Sequence, residues 1–175
     1  MRKYFILIVI LIVLMSCKEG VTYSAGKYEY VVPERVEMPV VEHPLDIIPW
    51  IEENMTYKFD TKIIGDDWQA PHESVELLTG DCEDVIILLM SYFVEFGMEE
   101  GIYFIGIKDT NDSASNHALL EVSSTSWINF GSPAGVGTSF MAYDISPSLI
   151  DKMDNFEVIL RLSWEEVLHK MILGW

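Results

Sequence analysis

The sequence predicts an α+β domain, with helices first and a small antiparallel sheet second. Three observations carry that expectation. The apolar run from Val85 to Phe96 is too long for a comfortable strand and reads as a buried helix. Further on, Ile102 to Ile107, His117 to Val122 and Trp127 to Phe130 are short segments of β-formers divided by polar or glycine-rich stretches. Cys17 to Trp175 is long enough for one hydrophobic core and short for two.

The chain opens with Met1-Arg2-Lys3 and the aliphatic stretch Tyr4 to Met15, then Ser16-Cys17. A spanning helix needs about 20 apolar residues, so this segment has the shape of a secretion signal over residues 1–16. Leu14-Met15-Ser16-Cys17 resembles the bacterial lipoprotein processing box. That resemblance implies cleavage before Cys17 and lipid on its thiol and amino group. The alternatives are a free thiol or a disulfide with Cys82, the only other cysteine. Lipidation of Cys17 would leave Cys82 as a lone thiol in an oxidising compartment.

Residues 17–49 form a tether followed by an arm. Pro33, Pro39, Pro44 and Pro49 argue against helix and against a central strand, so extended chain partly packed on the domain is expected. The domain proper is placed at 50–175. Trp50 to Phe59 fits either a short helix or a strand, and Gly65-Asp66-Asp67 is a turn. Pro71 to Leu78 reads as a short helix ended by Thr79-Gly80. The cysteine helix follows, then the three strands. Gly131 to Gly137 is a loop, Thr138 to Tyr143 a further strand, and Ser163-Trp164-Glu165-Glu166 a capping box opening a last helix to Ile172.

Acidic residues number 28 against 11 basic ones, for a net charge of -17, and two of the basic ones lie in the leader. Such a surface repels nucleic acid and anionic headgroups, so membrane attachment falls to the lipid and nucleic acid is excluded as a partner. The Asn54-Met55-Thr56 and Asn111-Asp112-Ser113 triplets match the glycosylation pattern, for which a bacterial lipoprotein has no expected use.

Cys82 stands in Gly80-Asp81-Cys82-Glu83-Asp84, where a polar turn meets the apolar run. Asp81 is a good N-cap and Asp84 falls at N3, so Cys82 takes the first helical position. Orphan N–H groups and the helix dipole favour an anion there, and a thiol so placed is expected to lose its proton more easily. The alternative is a small buried hydrophobe. Asp84 also has two readings, as a cap or as a charge raising the thiol pKa, and the capping role is preferred.

A thiol nucleophile needs a base. Of four histidines, His43 lies in the arm, His72 beside Pro71 and His169 in the last helix, whereas His117 opens a strand after a polar loop. A strand mouth is a rigid place from which an imidazole can reach a helix start. The imidazole needs an orienter in turn. A hairpin between the second and third strands brings residues 129 to 132 beside His117. Asn129 is then the favoured orienter, Ser132 a weaker one, and Asp144 an alternative third member if the next strand returns alongside. The oxyanion would meet the Cys82 N–H and a second donor, Gln69 or the indole of Trp68, although Trp68 equally suits a cleft wall. One domain cysteine and no histidine pair at helical spacing argue against zinc. The absence of a G-x-S-x-G turn argues against a serine hydrolase.

Gly80-Asp81-Cys82-Glu83-Asp84, with Asp67-Trp68, Pro71 and Glu73 upstream, resembles the bacterial transglutaminase-like cysteine proteinases. His117-Ala118-Leu119-Leu120-Glu121-Val122 is similar to that family's histidine strand, and Trp127-Ile128-Asn129-Phe130 to the strand of its third member. The resemblance covers about Tyr57 to Phe130. It implies a papain-like fold and a thiol hydrolase in the cell envelope, acting on a peptide or protein. It implies no cofactor required for the chemistry, while calcium enters by resemblance only, with no ligands assigned. Two departures stand out. Val85-Ile86 replaces the family's Tyr-Ala, and Asn129 stands where the family carries aspartate. Asparagine orients an imidazole without offsetting its charge, so a weaker enzyme, a silent binding module and an amine acyl transferase all stay open.

Overall fold

The arm carries more regular structure than its prolines suggest. The computed structural model describes residues 22–25, 28–31, 36–59, 68–110, 116–131, 141–145 and 155–173. The leader, Cys17, the turn at 65–67, the Asn111 triplet and most of the 131–137 loop, Ser132 included, lie outside these residues. Strands β1 (Thr22–Ala25) and β2 (Tyr28–Val31) pair antiparallel, Thr22 opposite Val31. A single 3-10 turn, Pro44–Asp46, leads into helix α1 (Ile47–Asn54). Two of the four prolines expected to oppose helix sit at starts, Pro44 first in its turn and Pro49 in the first turn of α1. An N–H there has no intrahelical partner to lose. His43 caps the turn, its Nδ1 accepting from the Leu45 N–H at 3.2 Å. Because α1 begins at Ile47, regular structure runs across position 50, where the domain was expected to start.

Trp50 to Phe59 therefore resolves as the end of α1 followed by the two-residue strand β3 (Thr56–Tyr57). Helix α2 (Pro71–Leu77) ends at Leu78, whose left-handed φ of 53° turns the chain into β4 (Thr79–Gly80). β3 and β4 pair in parallel, Tyr57 opposite Gly80. Helix α3 (Cys82–Glu95) follows at once, with Val85 to Phe93 all buried. Its sequence is apolar on every face, so it needs neighbours on every side. The Tyr92 hydroxyl donates to the Pro39 carbonyl at 2.7 Å, pinning the arm to this helix.

Strands β5 (Tyr103–Asp109), β6 (Asn116–Ser123), β7 (Ser126–Gly131), β8 (Met141–Ile145) and β9 (Phe156–Leu162) form one antiparallel sheet in the order β8-β7-β6-β5-β9. β9 has no counterpart in the sequence expectations. It returns to the far edge beside β5, with a register shift at Gly106/Ile107, and exposes Glu157 to Ile159 consecutively. That exposure erases the alternation by which a half-buried strand is recognised. Helix α4 (Trp164–Leu173) opens on the expected box, the Ser163 N–H donating to Glu166 Oε2 at 2.8 Å.

The core lies between the helices and one face of the sheet. Ala118, Leu120, Ile128, Phe130 and Phe104 meet α3, with Leu162, Ile47, Ile51, Trp164 and Leu168 completing the cluster. On the opposite face Ile105, Ile107, Leu119 and Trp127 form a second, smaller cluster. Burial on both faces explains why β5 and β6 read as near-continuous apolar runs. The result is an α+β arrangement with Cys82 buried at a helix N-terminus against an antiparallel sheet. Among the described residues, no helix is long and apolar enough to cross a membrane.

Candidate active site

The start of α3 is held by one buried carboxylate. Asp84 is 1% exposed, and its Oδ2 accepts from the Asp81 N–H at 3.1 Å. Its Oδ1 accepts from the Gln69 N–H at 2.8 Å, so the segment before α2 is bound to the cysteine helix through this side chain. Gly80 leaves the room: a Cβ there would lie 2.8 Å from Asp84 Cβ. Asp81 occupies the N-cap position with extended backbone, which puts Cys82 first in α3.

Cys82 is a free thiol, 5% exposed. Its Sγ donates to Glu83 Oε2 at 3.0 Å, so the thiol proton is shared with that carboxylate. The Ala118 backbone N–H and the Tyr57 hydroxyl also hydrogen-bond the sulfur. Burial pushes the thiol up and the Asp81 carboxylate adds to it, while the hydrogen bonds with Glu83, Ala118 and Tyr57 pull the other way. The net direction is upward. This corrects the expectation of an easily lost proton, because the helix-start argument is local and leaves out burial beneath β3 and β6.

His117 and Asn129 come together across β6 and β7. Leu119 lies opposite Asn129, and His117 is two residues back on the same face, a diagonal pair. His117 Nε2 donates to Asn129 Oδ1 at 2.5 Å. An amide oxygen only accepts, so Nε2 carries the proton and Nδ1 keeps its lone pair. Burial holds the imidazole below its usual pKa, against the Asn129 bond and the Asp81 charge, which both favour the cation. The ring is therefore neutral at neutral pH and competent as a base.

Pairing of β6 with β7 begins at Leu119. The N–H of Ala118, just before that point, reaches the Cys82 sulfur. The thiol thus sits at the place where β7 parts from β6, on a backbone N–H whose residue follows His117 in the chain.

Other expected residues fall differently. Asp144 lies on β8 with its backbone opposite Ile128, one strand beyond Asn129. Gln69 accepts from the Ser74 hydroxyl at 3.3 Å through its side-chain oxygen, so any donation to an oxyanion falls to its NH₂. The Trp68 ring rests on Phe104 at 4.6 Å, and the Lys170 ammonium lies 3.8 Å from its centroid. Those contacts suit the wall role better than a donor role.

Sequence reasoning missed Tyr57 and the Ala118 N–H. Tyr57 reaches the sulfur through the parallel β3–β4 pair, which is two residues long and leaves no pattern to read. Only Glu83, adjacent to the cysteine, was open to inspection.

No family model and no curated protein matches this chain. Among solved structures, calcium-bound LapG of Legionella pneumophila is similar over 69% of this chain and 64% of that one, at 17% identity and a TM-score of 0.44. This chain thus spans less than two thirds of the LapG chain.

Proposed function

We propose that the chain is a lipid-anchored thiol hydrolase, a transglutaminase-like cysteine peptidase or amidase that cleaves an amide in a peptide or protein of the bacterial envelope. One observation carries the reading: the His117–Asn129 bond leaves Nδ1 as the ring's free base, one residue from the Ala118 N–H on the Cys82 sulfur. The motif around Cys82 and its place at a helix start support the same assignment.

In this reading the resting thiol is protonated. As the sulfur attacks the carbonyl carbon, His117 takes the thiol proton through Nδ1 and Asn129 holds the ring by Nε2. His117 then gives the proton to the leaving amine as the C–N bond breaks. Water, deprotonated by the same nitrogen, hydrolyses the thioester. Asn129 supplies a dipole where an aspartate would supply a charge, so the imidazolium is less supported and turnover is slower.

The processing box at Leu14-Met15-Ser16-Cys17 supports anchoring by lipid at Cys17, with residues 17–49 as tether and arm and 50–175 as the catalytic domain. Asp81, Cys82 and Glu83 present ligand atoms within 4.8 Å of one another. The two carboxylates suit a hard cation and the sulfur between them does not. A calcium ion held by those carboxylates would neutralise charge beside the thiol.

A second reading, a silent module that binds an envelope peptide or polymer in the same cleft, is favoured by the raised thiol and the missing aspartate. A nitrophenyl ester separates the two. The hydrolase releases one equivalent of nitrophenolate in a burst that Cys82→Ala abolishes and His117→Ala slows. A parent protein with no burst is the silent module. Added amine that captures the acyl group faster than water identifies an acyl transferase.

A further inference from the structure

We infer that the Tyr57 hydroxyl is a catalytic group, the second donor to the oxyanion beside the Cys82 backbone N–H. The inference rests on the proposed acyl chemistry of Cys82. Its geometry begins with the β3–β4 pair. The Thr56 N–H donates to the Leu78 carbonyl at 2.9 Å and the Lys58 N–H to the Gly80 carbonyl at 2.8 Å, so Tyr57 is fixed opposite Gly80, two residues before the nucleophile. From there its hydroxyl bonds the sulfur. A donor that touches the attacking atom is close to where the oxygen of the attacked carbonyl will stand, since that oxygen lies one bond from the carbon the sulfur joins.

The side-chain NH₂ of Gln69 is the competing donor, while the other polar groups of Gln69 and the ring of Trp68 make structural contacts. Gln69 gives its N–H to Asp84 and its side-chain oxygen to Ser74, and both contacts serve the architecture of the helix start. The Trp68 ring lies against Phe104. A half-buried phenol beside Cys82 keeps its proton at neutral pH, because burial penalises a phenolate there and the Asp81 and Glu83 carboxylates would repel one. It is therefore a donor throughout the cycle.

When the sulfur bonds to the carbonyl carbon, the C=O π pair moves to oxygen and His117 takes the thiol proton. The sulfur's lone pair is then committed to the new bond. The Tyr57 O–H turns from sulfur to the oxyanion and donates to it without giving up its proton. Collapse restores the C=O, breaks the C–N bond and sends the proton from His117 to the amine.

Two reagents applied to Tyr57→Phe test this. Acylation by a nitrophenyl ester passes through an oxyanion, whereas alkylation by iodoacetamide displaces iodide and forms none. Loss of one oxyanion donor costs about 10²-fold or more in rate. The expected result is that acylation falls at least ~10-fold further than alkylation at the same pH. Equal losses overturn the inference and leave Tyr57 a group acting on the thiol alone. A gain in both rates also overturns it, marking Tyr57 as a plug. A parent burst that survives Cys82→Ala overturns the hydrolase reading itself, and the assignment of Tyr57 with it. Should Tyr57→Phe not fold, a tyrosine fluorinated beside its hydroxyl keeps the ring and changes donor strength. It should then alter acylation more than alkylation, and identical responses overturn the inference.

Discussion

Gly80→Ala should disturb the start of α3 although it adds a single methyl group. The new Cβ would lie 2.8 Å from Asp84 Cβ, 2.9 Å from Oδ2 and 3.3 Å from Cγ. A clash with Oδ2 alone could be relieved by rotating the carboxylate. A clash with Cβ cannot, because no side-chain torsion moves that atom, so β4 and the first turn of α3 must separate. The Asp81 and Gln69 hydrogen bonds to Asp84 are drawn into the same shift. Overpacking of this kind costs about 1–3 kcal/mol. For a chain of this size each kcal/mol lowers the melting temperature by about 2–4 °C, so a fall of roughly 4–8 °C is expected near the middle of that range. Calorimetry measures it, with iodoacetamide labelling of Cys82 on the same sample as a second readout. Displacement of the helix start should make the buried thiol more accessible to the reagent. A melting temperature within about 1 °C of the parent would refute the steric account, since even the low end of the cost exceeds it.

Asn129→Ala should lower Cys82-dependent acylation by about tenfold, the worth of one hydrogen bond of ~1.4 kcal/mol, with Asn129→Asp at or above the parent rate; burst kinetics decide, and an unchanged Ala variant refutes the orienting role. Asp81→Asn keeps a good N-cap but removes a carboxylate that pushes the thiol up, so Cys82 should alkylate faster at neutral pH. A slower rate would contradict that account. The folded pKa of His117 lies below its ordinary 6.5, so its contribution to stability is full above that value and lost as pH falls through the folded one. Urea midpoints measured against pH should therefore fall less on acidification for His117→Gln than for the parent. Cys17→Ser should leave the protein unprocessed or soluble where the parent partitions into detergent, and equal partitioning after signal cleavage refutes lipidation.

The cysteine helix and its partners were legible because their signals are local. Asp84 at N3, an apolar run ended near Gly97 and a glycine before the cap are short-range instructions, and α3 follows them from Cys82 to Glu95. The His117–Asn129 bond was within reach for a related reason. The β6–β7 turn is so short that Ser123 pairs with Ser126, which leaves little freedom in register. Asn129 on the first returning strand, rather than Asp144 on the next, follows from that turn.

Tertiary structure alone decided the rest. β9 joins the sheet at its far edge, against a strand some fifty residues earlier, and its exposed Val158 and Ile159 conceal the pairing. The arm forms β1 and β2 because its Tyr and Val stretches find one another as an antiparallel pair, and Pro44 and Pro49 are tolerated at starts. The state of the thiol diverged most from expectation. A helix start favours an anion within its own first turn, but the free energy of a charge depends on everything around it. Burial acts on Cys82 from all around it, and the Tyr57 hydroxyl and the Ala118 N–H reach it from positions far along the chain. Residue types and local periodicity thus determined the helix start and its capping carboxylates, with Cys82 first in α3. The fold determined how much water they keep, and with it the protonation state from which any chemistry at Cys82 begins.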